Sequence, residues 1–203
     1  RWYSQAGTPT LTVRSDYDPE LAQYRLQVSQ FTPPTAQQKE KQPLHIPLSI
    51  ALYGQDGAPL PLVQQGEPVS ELLELTAPEQ IFVFDGIHEL PIVSLLQDFS
   101  APVKLDYPYS DDELSFLLRF SQNEFARWDA GQMLVNKYVQ SGVQAYLRGE
   151  SLPEPLSLSR AFAHILADAK MDKALKVEIL TIPSETSLAE QFERVDIDAI
   201  HLV

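Results

Sequence analysis

Cysteine is absent from these 203 residues, and disulfides, thiol nucleophiles and thiolate metal ligands are excluded with it. Glycine is scarce, 8 in all, and no G-x-G-x-x-G, G-x-x-x-x-G-K or G-x-S-x-G occurs. Dinucleotide, phosphate-loop and nucleophile-elbow signatures are therefore missing. Positive charge is in the minority: 15 Lys+Arg stand against 28 Asp+Glu, a formal charge of −13, with no basic cluster to offset it. Nucleic acid and anionic membrane surfaces are excluded as expected partners. No apolar run nears the ~20 residues of a membrane-spanning helix, so no membrane span is expected.

With 44% hydrophobic and 21% charged residues, the composition is that of a globular protein, long enough for one large domain or two small ones. The chain opens "RWYSQAGTPT" with no initiating Met and no leader. It closes on an apolar pattern, Val195, Ile197, Ile200 and Leu202, without a cap. The expectation is a piece of a longer chain, whose residues after about Glu193 fray or find a substitute partner.

Two periods divide the sequence. From Thr10 to Tyr107 the pattern has period two, clearest in "LHIPLSIALY", where Leu44, Ile46, Leu48, Ile50 and Leu52 alternate with smaller or polar residues. "LTV" (11–13), "YRLQV" (24–28), "LLEL" (72–75), "IFVF" (81–84) and "VKLDY" (103–107) repeat it, separated by the turn signals "YDPE", "GQDG", "QQGEP" and "TAPE". Such a series predicts an immunoglobulin-like antiparallel β-sandwich over 1–107. Pro47 inside its strand predicts an edge, and the aperiodic "FTPPTAQQKEKQP", Phe31 to Pro43, a mobile loop.

After Tyr107 the period becomes helical. Ser110 and Glu113 have capping-box spacing, with Leu114, Leu117 and Leu118 on one face behind them. A second helix is expected from Glu124 to Arg148, with Phe125, Trp128, Leu134, Tyr138 and Leu147 inward and Gly149 as its stop. Leu158, Phe162, Ile165 and Leu166 mark a third, Asp172 to Pro183 brackets a fourth, and Ser187 with Glu190 repeats the capping-box spacing. The region 108–203 thus reads as the first helices of a bundle or stacked superhelix.

Chemistry is hard to find. "FDGIHELPIVSLL", Phe84 to Leu96, begins like H-E-x-x-H, a motif that needs two histidines one helical turn apart to grip zinc. Four after His88 stands Ile92, and Pro91 would interrupt the helix. His164 with Asp168 has ligand spacing, as has any exposed helix pair. Asp111 and Asp112 suit a helix N-terminus, and Phe116, Phe120, Phe125 and Trp128 are expected to pack against neighbouring helices. No catalytic, metal or substrate-binding residue is assigned.

Longer words of the sequence carry a resemblance. "RWYSQAGTP", "KQPLHIPLSIALYG", "LLQDFSAPVKLDY", "FARWDAGQMLVNKYV" and "EILTIPSE" are similar, in order, to stretches of the bacterial aminopeptidase N family of zinc-dependent gluzincins. The resemblance implies a β-sandwich domain followed by the start of the C-terminal helical domain. It also implies an enzyme that removes N-terminal residues from peptides in the bacterial cytoplasm, with zinc held by preceding domains. The segment would then be inactive and cofactor-free. Its partners would be the upstream catalytic domain and downstream helices of the same chain, with peptide substrates only for the whole enzyme. The alternative is an independent interaction scaffold, an Ig-like module fused to helices.

Overall fold

Alternation of apolar and polar residues builds the first part of the molecule, and the helical period builds the second. The computed structural model describes residues 2–190, 192 and 195–203. It separates into two units at the Pro108–Tyr109 junction.

The first unit contains β1 (Thr10–Asp18), β2 (Gln23–Phe31), β3 (Ile46–Tyr53), β4 (Pro59–Leu60), β5 (Val63–Gln64), β6 (Glu67–Pro68), β7 (Leu72–Leu75), β8 (Glu79–Asp85), β9 (Ile92–Leu95) and β10 (Lys104–Asp106). One sheet has the order β10-β1-β2-β8. A second has β4-β3-β7 with β9 also on β3, and β5 pairs β6. The β5–β6 turn places Gln65 and Gly66 at φ 52° and 81°, the two positive values that a two-residue hairpin turn requires. All pairings are antiparallel except β1 with β10. β10 enters from β9 in the other sheet, and no hairpin forces it to reverse. That crossover bends through left-handed Leu96, Asp98 and Phe99.

The inner faces carry the core. Leu11, Val13, Tyr24, Leu26, Val28 and Phe84 are buried in one sheet, and Ile46, Leu48, Ile50 and Leu52 in the other. β3 is not an edge strand, because β7 pairs its first half and β9 and β4 its second. The reason for Pro47 is local. The Ile50 N–H donates to the Glu71 carbonyl on the β7 side, so the amides of residues 47 and 49 face the opposite edge, where β9 has not yet begun. There Pro47 has no N–H to satisfy, and the Ser49 N–H donates to Ser100 Oγ at 3.0 Å. The strand β9 was not expected from sequence: all of its residues are buried, so "IVSL" shows no alternation.

Gln30 continues the inward set of Tyr24, Leu26 and Val28, opposite Leu11. A polar group on that face requires partners. Its Nε2 donates to the carbonyls of Leu44 and Ala77, both at 2.9 Å, and its Oε1 accepts from the Leu44 N–H at 2.7 Å. Gln30→Ala is expected to destabilise the unit by about 1–2 kcal/mol, since several backbone groups lose their partner. Urea titration monitored by circular dichroism checks this, and an unchanged midpoint would show that water replaces the amide.

The stretch expected as a mobile loop after Phe31 is instead tied to the N-terminal segment. Lys41 Nζ reaches the Ala6 carbonyl and Gln38 Oε1, Gln38 Oε1 also accepts from the Ala6 N–H, and the Gln5 side chain brackets the backbone of Gln42. Polar composition here means a hydrogen-bonded clasp rather than a free loop.

The second unit consists of α1 (Asp111–Phe120), α2 (Glu124–Leu147), α3 (Leu156–Ala167), α4 (Lys173–Leu180), α5 (Glu185–Ala189) and α6 (Ile197–Leu202). The capping box forms: Glu113 N–H donates to Ser110 Oγ at 3.1 Å and Ser110 N–H to Glu113 Oε2 at 2.8 Å. Gly149, at φ +68°, follows the end of α2. Val135, Val139 and Val143 of α2 meet Leu188, Ala199 and Ile200, with Leu158 and Phe162 against them. Leu147 and Leu166, expected inward, are exposed, because each falls off the stripe that its helix buries. The cap of α5 is Ser184, whose Oγ accepts from the Ser187 N–H, not Ser187. Ser184 follows Pro183 in an extended conformation, which gives it the geometry of a cap. Of the terminal apolar set, Ile200 is buried while Val195, Ile197 and Leu202 are exposed, and Glu193 lies outside the described residues. Among the described residues no helix is long and apolar enough to cross a membrane.

Two glycines of α2 predict opposite outcomes. A Cβ at Gly131 would meet only ordinary contacts, Ile179 Cγ2 at 3.5 Å and Leu118 Cδ1 at 3.6 Å. Gly131→Ala is therefore expected to raise stability by about 0.5–1 kcal/mol through helix propensity. A Cβ at Gly142 would collide with the Val203 side chain. Gly142→Ala is expected to lift Val203 from α2 and to speed amide exchange in α6 up to about tenfold. Exchange measured on both variants checks the contrast, and equal α6 protection would refute it.

Candidate functional site

The residues that sequence singled out do not converge. His88 and Glu89 lie in the exposed connection from β8 to β9. There Glu89 Oε2 accepts from the Gln55 N–H at 3.1 Å, and the Leu90 carbonyl from Gln55 Nε2 at 2.7 Å. The motif-like stretch thus fastens one connection to another. Ile92 begins β9, so residues four apart there share no helical face. His45 pairs with Glu74 at 3.5 Å. His201 Nδ1 lies 2.7 Å from Glu185, whose carboxylate raises the imidazole pKa. Asp168 caps the C-terminus of α3 and accepts from the Lys170 N–H, with Arg127 Nη2 3.9 Å away. Its carboxylate is thus engaged, and His164 gains no metal-binding partner from it. Among the described residues no group of three or more His, Asp or Glu could hold a metal ion.

The other candidates have structural surroundings. Asp111 accepts from Lys137 Nζ at 2.7 Å, and the same ammonium donates to the Tyr109 carbonyl at 2.8 Å. Phe116 and Phe120 stack tilted at 4.8 Å, as do Phe125 and Trp128 at 5.5 Å. All four rings are half-buried.

A cleft in the helical unit was not foreseen. It has a volume of about 490 Å³, between one face of α2 and the segment from Glu178 to Ser187. Trp128, Gln132 and Asn136 stand at successive turns of α2, with Asp129 beside them. Burial pushes the Asp129 carboxyl up to about 6, because an ionised carboxylate loses hydration there. No hydrogen bond or ion pair reaches it among the described residues. Arg127, two residues away, is turned elsewhere: its Nε donates to the Leu118 carbonyl at 2.9 Å. Burial also lowers the Arg127 pKa, against the pull of Asp168 and Glu124. Gln132 Nε2 donates to the Thr181 carbonyl at 3.1 Å and fixes one wall to the other. In sequence Asp129 was one letter of "RWDAGQ". Its signal was an acid beside the buried positions Ala126, Ala130 and Leu134.

The cleft contains acceptors, hydroxyls and an indole, and among the described residues none of its hydroxyls is hydrogen-bonded to the Asp129 carboxyl. Such a lining is suited to binding.

Comparison with known proteins agrees with this architecture. Residues 7–108 match the family model "Domain of unknown function (DUF3458) Ig-like fold", and residues 111–203 match "Domain of unknown function (DUF3458_C) ARM repeats". The chain is 49% identical over 200 residues to aminopeptidase N of Escherichia coli (strain K12), and 46% identical over 200 residues to that of Haemophilus influenzae. Each match covers 98% of this chain and 23% of the relative. Aminopeptidase N of Caulobacter vibrioides is 33% identical over 203 residues, 98% of this chain and 22% of that protein. The crystal structure of Legionella pneumophila aminopeptidase A in complex with aspartic acid superposes with a TM-score of 0.80 at 25% identity. That match covers 99% of this chain and 21% of the other. The chain therefore spans less than a quarter of the relatives it matches. It belongs to the DUF3458 family, with the Ig-like segment followed by the ARM-repeat segment.

Proposed function

We propose that this segment is the non-catalytic connector of a zinc-dependent, alanyl-type aminopeptidase of the bacterial cytoplasm, which removes N-terminal residues from peptides. In this reading it joins an upstream catalytic domain to downstream helices and is inactive alone. The observation that carries the reading is the collinear match to aminopeptidase N over 98% of the chain. The residues present do not fit zinc. His88 and Glu89 stand ahead of a strand instead of inside a helix, and among the described residues no third donor converges on them, whereas a zinc site takes three or four ligands in tetrahedral array. The metal and the peptide-binding groups would come from other parts of the enzyme. Three residues separate the end of β10 at Asp106 from Ser110, the N-cap of α1.

The purified chain is expected to bind no stoichiometric zinc and to release no product from alanyl-p-nitroanilide, even with added zinc. Elemental analysis and absorbance at the nitroaniline band check both. About one tightly held zinc per chain, or turnover that follows the chain through purification, would overturn the reading.

A further inference from the structure

We propose that the cleft beside Asp129 binds a small organic cation with N–H donors, an alkylammonium or guanidinium group, carried by a free amine or by a basic side chain of a peptide. The walls set this chemistry. Asp129 and Glu178 supply carboxylates, and Lys, Arg and His are absent from the lining among the described residues. An anion would find no counter-charge there. Trp128 offers an aromatic face of the kind that attracts a cation, and its tilted contact with Phe125 at 5.5 Å restrains the ring. Gln132 uses its Nε2 on Thr181, which leaves its oxygen as a further acceptor. The volume of about 490 Å³ falls within the range of sites for small ligands.

A metal ion fits less well than an organic cation. Calcium or magnesium needs six or more converging oxygens, and the described residues provide no group of three acidic or histidine ligands. An ammonium or guanidinium needs only a few acceptors and an apolar surface for its carbon chain. The excess of acidic groups, 28 against 15 basic, favours approach of cations generally.

Binding is coupled to a proton, because the carboxylate that receives the cation is held at a pKa of about 6 by burial. Several charges on the surrounding elements have partners elsewhere, while no partner is seen among the described residues for Lys173 of α4. On α2, Arg127 is turned to Leu118 and Asp168, and Lys137 to Asp111. On α4, Lys176 Nζ donates to the Leu166 carbonyl, and on α6 His201 pairs with Glu185. Arg119 of α1 lies over the Phe120 ring. Glu178 of α4 is the other titratable residue of the lining.

The test is a ¹⁵N NMR titration of the whole 203-residue chain with n-butylammonium, with a blocked Gly-Lys-Gly peptide and with 1-butanol. The expected result is saturable shifts of the Trp128 indole and the Gln132 and Asn136 side-chain amides with a cation, and none with butanol. At pH 5 the affinity should be about tenfold weaker than at pH 7.5, since roughly nine in ten Asp129 side chains are then protonated. Shifts with both cations identify the free amine as sufficient, and shifts with the peptide alone identify a basic side chain in peptide context. Either supports the site. Asp129→Asn should abolish binding at both pH values, while an unchanged amide spectrum away from the cleft shows that the variant folds. No shift with either cation, equal shifts with butanol, or undiminished binding by Asp129→Asn would overturn the proposal.

Discussion

Phe84→Ala is expected to lower the unfolding free energy of the β unit by about 3–5 kcal/mol, the largest single loss anticipated in this molecule. Phe84 is fully buried on β8, directly opposite Tyr24 of β2, itself only 2% exposed. Removing the ring discards its burial and leaves a cavity in an interior as dense as an organic crystal, where the strands on either side cannot collapse into the gap. The chain has two tryptophans, one in each unit, and Trp2 is tied through Nε1 to the His45 carbonyl at 2.9 Å. Denaturant unfolding read on Trp2 fluorescence in a Trp128→Phe background isolates the β unit. A loss under about 1 kcal/mol would mean that the inner faces repack, and that the side-chain contacts described for the sandwich are wrong there.

Asp129→Asn is expected to act in the opposite direction. It should stabilise the helical unit at pH 7.5 by on the order of 2–3 kcal/mol, from a folded carboxyl pKa of about 6 against the ordinary aspartate value of 3.8. The folded state holds the proton more tightly than the unfolded chain does. The stability linked to this group is therefore fully present below about pH 4 and is lost as pH rises through about 6. The asparagine variant carries no such penalty, so the two proteins should converge in stability near pH 4 and separate between pH 4 and 6. Thermal unfolding followed at pH 4, 5, 6 and 7.5 gives the comparison. A difference that stays constant across this range, or that grows towards acid, would show that the Asp129 carboxylate has a donor in the folded protein. It would then remove the basis for cation binding in the cleft as well.

Much of this protein was legible before any coordinates. Strands β1, β2, β3, β7, β8 and β10 each contain a run read from period two, because one face of each meets the interior and the other meets water. Ser110 and Glu113 could be paired by spacing alone, since a capping box is made within four residues. Gly149 could be read as the stop of α2, because a residue at positive φ is most easily a glycine. That H-E-x-x-H is broken could also be read directly, since Pro91 and Ile92 stand in the sequence itself. All of these are local matters, settled by groups a few residues apart.

What the sequence could not settle depends on distant partners. β9 hides in a uniformly apolar run, and only its place against β3 makes it a strand. Pro47 is tolerated in β3 because β9 does not reach it, and the neighbouring Ser49 amide on that edge is met by Ser100, 51 residues from Ser49. Gln30 is tolerated on an inward face because the backbones of Leu44 and Ala77 arrive there to meet it. Asp129 has an exposed residue's chemistry and a buried residue's surroundings only because α4 and the turn after it close over α2. Periodicity and spacing determine which face a residue occupies, since they act along the chain. Tertiary structure decides what lies opposite that face, and burial without a partner among the described residues, as at Asp129, can arise only there.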